Sequence, residues 1–303
     1  MAGIFKGLTI GALLLCAQNV LAQELEPRRW SHLPVGLTFG SAAYLYTDTD
    51  IEFDPALEIE NARGDIHTFA VGVVHTFGFF GKSARIDAVL PYSVGRWEGS
   101  LEGEPASTRR SGINDPKIRF AVNLVGSPAL SGKDFAKFEV DTIVGAAVEV
   151  RIPLGEYQPD KLINLGSNRW VVRPQLGVTQ RWGQWDAELT GSVWFYGDNK
   201  DFDVDKRRKQ DPLFSAQTHL IYTFRPGLWF SGSLAFGGGA QSEINGIDAR
   251  DRTGRWLYAL STGLPVSRTQ GVTVSLIGSE NTRETGSEFL RILVGYSKMW
   301  GAD

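Results

Sequence analysis

The feature that most constrains this chain is an apolar/polar alternation of period two that recurs in segment after segment. Across residues 117–124, Lys117, Arg119, Ala121 and Asn123 alternate with Ile118, Phe120, Val122 and Leu124. Side chains of an extended chain point alternately to opposite faces, so one face here is wholly apolar and the other polar or charged. Residues 83–94 set Ala84, Ile86, Ala88, Leu90, Tyr92 and Val94 against Arg85, Asp87 and Ser93. Residues 141–152 oppose Val144, Val148, Val150 and Ile152 to Asp141, Glu149 and Arg151. Residues 186–196 oppose Ala187, Leu189, Val193 and Phe195 to Asp186, Glu188, Thr190 and Ser192. The last segment, 289–300, places Leu290, Ile292, Val294, Tyr296 and Trp300 opposite Arg291, Gly295 and Ser297. About twelve such strands are expected. They begin near Leu37, Ile66, Ser83, Lys117, Val140, Arg169, Trp185, Ser215, Leu228, Arg255, Val272 and Phe289.

Connector lengths choose between the two architectures that alternate in this way. Gaps 48–64, 98–114, 153–168, 197–212 and 238–254 are long, polar and rich in Gly, Asp and Pro, whereas 78–82, 181–184, 225–227 and 267–271 are short. Long and short alternate, except that the inner connector 125–138 is longer than the rule and the outer connector 282–288 shorter. A soluble sandwich with Greek-key connections scatters its loop lengths. A transmembrane barrel has short turns on one side and long loops on the other, with the apolar face toward lipid and the polar face toward the lumen. The fold expected is therefore all-β: a closed antiparallel transmembrane β-barrel of about twelve strands with long outer loops and short periplasmic turns. Closure is required because an unpaired edge in hydrocarbon leaves backbone groups unsatisfied. Tyr44, Tyr46, Tyr92, Trp97, Trp170, Trp185, Tyr222, Trp229, Trp256, Tyr296 and Trp300 lie mostly near segment ends, where interfacial girdles form.

The first residues have the layout of an export signal. Lys6 precedes an apolar run from Leu8 to Ala17, and Val20-Leu21-Ala22 forms a small-residue cleavage site. The division expected is signal peptide 1–22, a periplasmic segment 23–36 that suffices for a small latch but not a plug domain, and a barrel over 37–303. The single cysteine, Cys16, falls in the signal, so the exported chain uses no disulfide. Aromatics at 11% and a net charge of −3 exclude disorder and give no case for a nucleic-acid binder. Past the N-terminus no apolar run approaches the ~18 residues of a spanning helix.

A family resemblance emerges from the connectors and strand ends. Gly155-Glu-Tyr157, Leu165-Gly166-Ser-Asn168-Arg169-Trp170 and Arg173-Pro174 carry it. So do Asp54-Pro55, Ile113-Asn114-Asp115-Pro116, Tyr196-Gly-Asp198-Asn199, Gln210-Asp211-Pro212 and His219-Leu-Ile-Tyr222. Together they resemble the outer-membrane transporter family labelled as meta-pathway phenol degradation, over about Trp30 to Trp300. The resemblance implies a barrel in the bacterial outer membrane that passes small, often hydrophobic or aromatic, molecules. One departure is the extension past Trp300 through Gly301-Ala302-Asp303, since many such barrels end on the aromatic that assembly machinery reads.

Other constellations give no catalytic or metal chemistry. His67 and His75 share a strand face but lie eight residues apart, roughly 26 Å at about 3.3 Å per residue, so they cannot share a metal. His32 and His219 have no metal-ligand spacing either. His219 shares a face with Ser215 and Gln217, without the nucleophile elbow of a lipase. Asp48, Asp50, Glu52 and Asp54 begin like a calcium loop, but Phe53 and Ile59 stand where Gly and Glu are needed. Lys206-Arg-Arg-Lys209 is flanked by Asp201, Asp203, Asp205 and Asp211, which points to mutual salt bridging rather than nucleic acid. Gly237-Gly-Gly239 lacks the Lys-Ser/Thr of a phosphate loop. No enzyme activity, cofactor or metal is expected.

Function is expected in the lumen. Ionised groups facing lipid would cost about 2–4 kcal/mol for each mid-membrane Arg or Lys, so period two sends them inward. The candidate lumen residues are Arg85, Asp87, Lys117, Arg119, Asp141, Glu149, Arg151, Arg173, Arg181, Asp186, Glu188, His219 and Arg291. Trp194 and Tyr196 are candidate stacking partners. Charges of both signs are expected to pair across the lumen and narrow it. The function expected is passive diffusion or weak lumen binding of small molecules, hydrophobic or aromatic on the strength of the resemblance. A general small-solute porin and an adhesin-like barrel acting through its loops are the alternatives. Expected partners are outer-membrane lipid, lipopolysaccharide, the assembly machinery and the small-molecule substrate.

Overall fold

A computed structural model describes residues 25–52, 59–161, 163–283 and 286–301. The strands are β1 (Thr38–Glu52), β2 (Ile59–Phe79), β3 (Lys82–Leu101), β4 (Glu104–Ile113), β5 (Lys117–Val125) and β6 (Thr142–Arg151). They continue as β7 (Val171–Trp182), β8 (Trp185–Tyr196), β9 (Asn199–Phe202), β10 (Lys206–Gln210), β11 (Leu213–Arg225) and β12 (Leu228–Gly239). The last are β13 (Ser242–Ile244), β14 (Ile247–Asp248), β15 (Thr253–Pro265), β16 (Gln270–Asn281) and β17 (Gly286–Trp300). One short helix, α1 (Gly132–Lys137), lies between β5 and β6.

The main sheet runs β2-β1-β17-β16-β15-β12-β11-β8-β7-β6-β5-β3 and closes through β2–β3. Every pairing is antiparallel. β4 extends the line of β5, since β3 pairs with β5 over residues 84–89 and with β4 over 92–101. The two form one stave broken at Asn114-Asp115-Pro116. The barrel therefore has twelve staves, as the alternation implies. Among the described residues no helix is long and apolar enough to cross a membrane.

Period two places the side chains as expected. Phe69, Val71, Leu176, Phe214 and Leu260 are each more than half exposed on the outer wall, whereas Arg173, Glu149, Glu188 and His219 are at most 2% exposed inside it. In water such an apolar belt would lose the benefit of burial; in hydrocarbon it has a matching solvent. Aromatic clusters mark both ends of the belt: Trp185, Tyr222 and Phe224 meet edge to face at 4.7–4.8 Å on the inner rim. On the outer rim Phe236 meets Trp256 at 4.8 Å, and His67 accepts or donates a 2.7 Å bond with Tyr44. Two aromatics assigned to girdles turn inward instead: Trp97 is buried, and Trp229 lies under Arg28 in the lumen.

The outer connectors are more regular than their composition suggested. Parts of 48–64 and 98–114 continue as strand, and 197–212 and 238–254 supply a small sheet, β14-β13-β10-β9. Outside the membrane neither face of a strand meets lipid, so the alternation that reveals the wall disappears there. The long inner connector carries α1, whose Phe135, with Phe138 just beyond it, holds the ring of His32 at 4.8 and 5.2 Å. The first described part of the segment expected in the periplasm lies inside the barrel, with Arg29 and Trp30 4% and 1% exposed among lumen side chains, while His32 and Val35 bond the inner connector.

Candidate functional site: the two-tier lumen

The inner tier is built by the N-terminal segment and the wall together. Its backbone binds first: the N–H groups of Arg28 and Arg29 donate to Glu188 Oε2 at 2.8 and 3.3 Å, and Glu26 N–H donates to Gln217 Oε1 at 3.3 Å. Side chains then complete a charge cluster. Arg29 Nη1 donates to Asp87 at 3.0 Å, and Arg119 bridges Glu26 at 2.6 Å and Asp87 at 2.8 Å. Arg85 donates to the carbonyl of Arg29 at 2.7 Å. The Trp30 indole N–H donates to Thr190 Oγ1 at 2.8 Å, while Asn123 donates to the Trp30 carbonyl at 3.2 Å. Gly145 and Gly177 point into the lumen on neighbouring strands, and a Cβ on either would overlap the Trp30 ring. These two positions need glycine because an indole occupies the side-chain space.

Above this layer the outer tier encloses a cavity of about 110 Å³. Trp97, Trp194, Tyr196, Arg151, Arg169 and Arg291 are among its lining. Arg151 and Arg173 sit 4.6 and 4.2 Å from the Trp194 ring centre, and Arg169 4.7 Å from that of Tyr196. Guanidinium planes stack well on aromatic faces, which rigidifies both partners. Arg208 from β10 donates to Ser242 at 2.9 Å and faces Asp251 at 3.6 Å. Arg169, on the connector before β7, is pushed down to about 9 by burial and by the nearby Arg208 cation.

The roof of the cavity is connector 152–170, and the motif residues hold it in place. Asp115 accepts from Gly155 N–H at 3.0 Å, Ser167 N–H at 2.8 Å and Ser167 Oγ at 2.5 Å. Ser93 donates to Asn114 at 2.7 Å, and Asn114 donates to the Leu165 carbonyl at 3.3 Å. Gly155 and Gly166 touch backbone to backbone, leaving no room for a Cβ. Asn168 donates to Asn199 at 2.9 Å and Asn199 to Tyr157 Oη at 2.8 Å, tying the roof to the outer sheet. Residues scattered over about a hundred positions thus form one joint between wall, roof and outer sheet.

Among the candidate lumen residues, Asp87, Glu149, Arg173, Asp186, Glu188, Trp194, His219 and Arg291 are buried inside the wall. Arg85, Lys117, Arg119, Arg151 and Tyr196 are half-buried there, and Arg181 pairs with Asp186 at 2.6 Å on the inner rim. Asp141 differs: it precedes β6 at the periplasmic rim, is exposed, and accepts from Gln180 at 2.7 Å. Its alternation phase is right, but the strand starts one residue later. The charges also do not pair across an open bore. Asp87, Arg119, Glu149 and Arg151 link neighbouring staves β3, β5 and β6, and Glu26 and Arg29 supply the contacts from the centre. His219 Nδ1 bonds Ser233 at 2.7 Å rather than Ser215. Glu26, Arg28, Arg29, Trp30, Arg169, Arg208, Asn114 and Asp115 join the site unexpectedly. For Arg28, Arg29 and Trp30 the signal was the run itself, an unusual concentration of bulky groups for a solvated tail. In the loop basic run, Lys206 pairs with Asp203 at 2.6 Å and Lys209 with Glu243 at 3.3 Å, and Arg207 pairs with Asp198. Asp50 of the acidic run pairs with Arg63 at 3.2 Å, and Asp54 lies outside the described residues. Among the described residues no group of three His, Cys, Asp or Glu is placed to hold a metal.

The family model described as "Putative MetA-pathway of phenol degradation" matches residues 60–286, which include the joint and most of the outer tier. The chain belongs to this family. Among solved structures it resembles the COG4313 outer membrane channel from Pseudomonas putida F1, with a TM-score of 0.77 and 23% identity over 91% of this chain and 100% of that one. The β domain of the Bordetella autotransporter BrkA follows at TM-score 0.52 and 10% identity, covering 87% of this chain and 99% of that one. The transport unit of the Escherichia coli autotransporter AIDA-I gives 0.51 and 6%, covering 96% and 97%. No protein of curated function matches the sequence. The fold is that of a barrel of the bacterial outer membrane.

Proposed function

We propose that the protein is an outer-membrane channel that admits small hydrophobic or aromatic molecules by diffusion through weak lumen contacts. One observation carries the reading: a pocket walled by Trp97, Trp194 and Tyr196 lies within a closed barrel whose inner half is filled by the docked N-terminal segment. Pockets of this kind, mostly apolar with a few convergent polar groups, suit small ligands. The solved structure most similar in shape among those above is itself described as an outer membrane channel, which supports the reading. The N-terminal segment is held by hydrogen bonds, ion pairs and the packing of the Trp30 ring, so its displacement requires no covalent step. An enzymatic role finds no support in the lumen. Glu188, opposite His219 in register, is bound to the backbone N–H groups of Arg28 and Arg29 and does not orient a Ser-His pair.

Planar-bilayer recording and uptake test this. The purified protein should give discrete current steps, and cells lacking it should take up labelled benzyl alcohol more slowly than cells that carry it. A barrel that passes no current and leaves uptake unchanged refutes the channel.

A further inference from the structure

We propose that the outer-tier cavity is a binding site for small aromatic anions, single rings bearing a carboxylate or phenolate. This rests on the channel reading and narrows its substrate class from aromatic molecules at large to charged ones.

The cavity's charge is the first argument. Its described lining has three cations, Arg151, Arg169 and Arg291, and one carboxylate, Asp115. That carboxylate is occupied: Gly155 binds one oxygen and Ser167 the other, through both its N–H and its hydroxyl. It is the anchor of the roof, so it offers little to a cationic guest. Arg151 is paired with Glu149 at 3.4 Å, so the positive character of the pocket comes chiefly from Arg169 and Arg291, and a low-dielectric enclosure strengthens that field.

The second argument is an inventory of donors. Arg169 is 5% exposed and spends one nitrogen on Gln210; its Nε and Nη1 have no hydrogen-bond partner among the described residues. The indole N–H of Trp194, 1% exposed, and the hydroxyl of Tyr196 are in the same position. Arginine and indole nitrogens only donate, so they call for an acceptor. A hydrocarbon guest would leave them unmatched, whereas a carboxylate accepts several charge-assisted bonds at once. Burial beside Arg208 makes the Arg169 charge costly, and an anion would relieve that cost.

Shape supplies the aromatic half. The volume, about 110 Å³, is of the order of the roughly 150 Å³ cavity that takes one benzene in another protein. Ile163 and Leu165 from the roof and the ring of Trp97 offer apolar surface for a flat guest. The guanidinium groups already lie against aromatic rings, and their planes suit a further one.

The test compares two ligands of nearly equal shape, benzoate and benzyl alcohol, by calorimetry on the full-length protein in detergent at low salt. Benzoate should bind at least tenfold more tightly than benzyl alcohol, and acetate more weakly than benzoate. Arg169→Gln should reduce benzoate affinity about tenfold and leave benzyl alcohol unchanged. Tyr196→Phe and Arg169→Lys, which alter the site more gently, should each reduce it severalfold; they decide the matter if Arg169→Gln loses the heat-modifiable band of a folded barrel. Equal affinities for benzoate and benzyl alcohol, or benzoate binding untouched by all three variants, would overturn the charge preference. Acetate binding as well as benzoate would overturn the aromatic one. The channel reading stands or falls separately, on bilayer current through the unaltered protein.

Discussion

The inner and outer halves of the lumen are closed by different means. In the inner half the space is filled by the chain's own N-terminal segment, and the carboxylates of Glu26, Asp87 and Glu188 each meet a cation or an N–H group. In the outer half the space is left as a cavity, and arginines stack on aromatic rings around it. A bore sealed by wall side chains would be sealed for good, because each is fixed to a hydrogen-bonded stave. A bore sealed by a docked peptide that continues into β1 can open at the cost of breaking its docking contacts. Under the proposed channel function, the contrast places gating in the inner half and recognition in the outer half.

Perturbing the docked segment should separate the halves most sharply. Trp30→Ala removes a fully buried indole, and large-to-small changes of this kind cost about 3–5 kcal/mol. Frequent long openings in single-channel records are expected, with benzoate affinity retained. Gly177→Leu approaches the same joint from the wall: overpacking against Trp30 should cost about 1–3 kcal/mol and raise the open fraction less. Asp115→Ala should act on the outer half alone. It strips acceptors from Gly155 and Ser167, so limited proteolysis should nick connector 152–170 faster while the closed current stays as it was. Arg63→Ala, which breaks an exposed pair with Asp50 that lines neither tier, should leave conductance, binding and the heat-modifiable transition unchanged.

The wall was legible because lipid on one side and charge on the other impose a period that no other environment sustains over so many segments. Phe120 and Arg119 illustrate it: adjacent residues, sent to opposite solvents by one backbone geometry. Asp141 shows the limit of that signal, since phase alone does not say where a strand begins. The docked segment left no periodic trace. Its evidence lay in two distant places, the Arg28-Arg29-Trp30 run and the lumen-facing Gly145 and Gly177, and only the closed barrel brings them together. The joint at Asn114-Asp115 was visible as motif residues but not as a joint, because its hydrogen bonds cross roof, wall and outer sheet. Arg169 was noted as a strand start and as part of the motif over 165–170, and its burial follows from the roof folding inward.

The most direct test of this division is the single-channel conductance of the full protein against a variant lacking residues 25–31, at the same voltage and salt. If the segment is the constriction, the shortened barrel should conduct severalfold more in its main level and lose the brief closures of the parent. Identical conductance and gating in the two proteins would contradict the account, because the barrier would then lie in the wall itself.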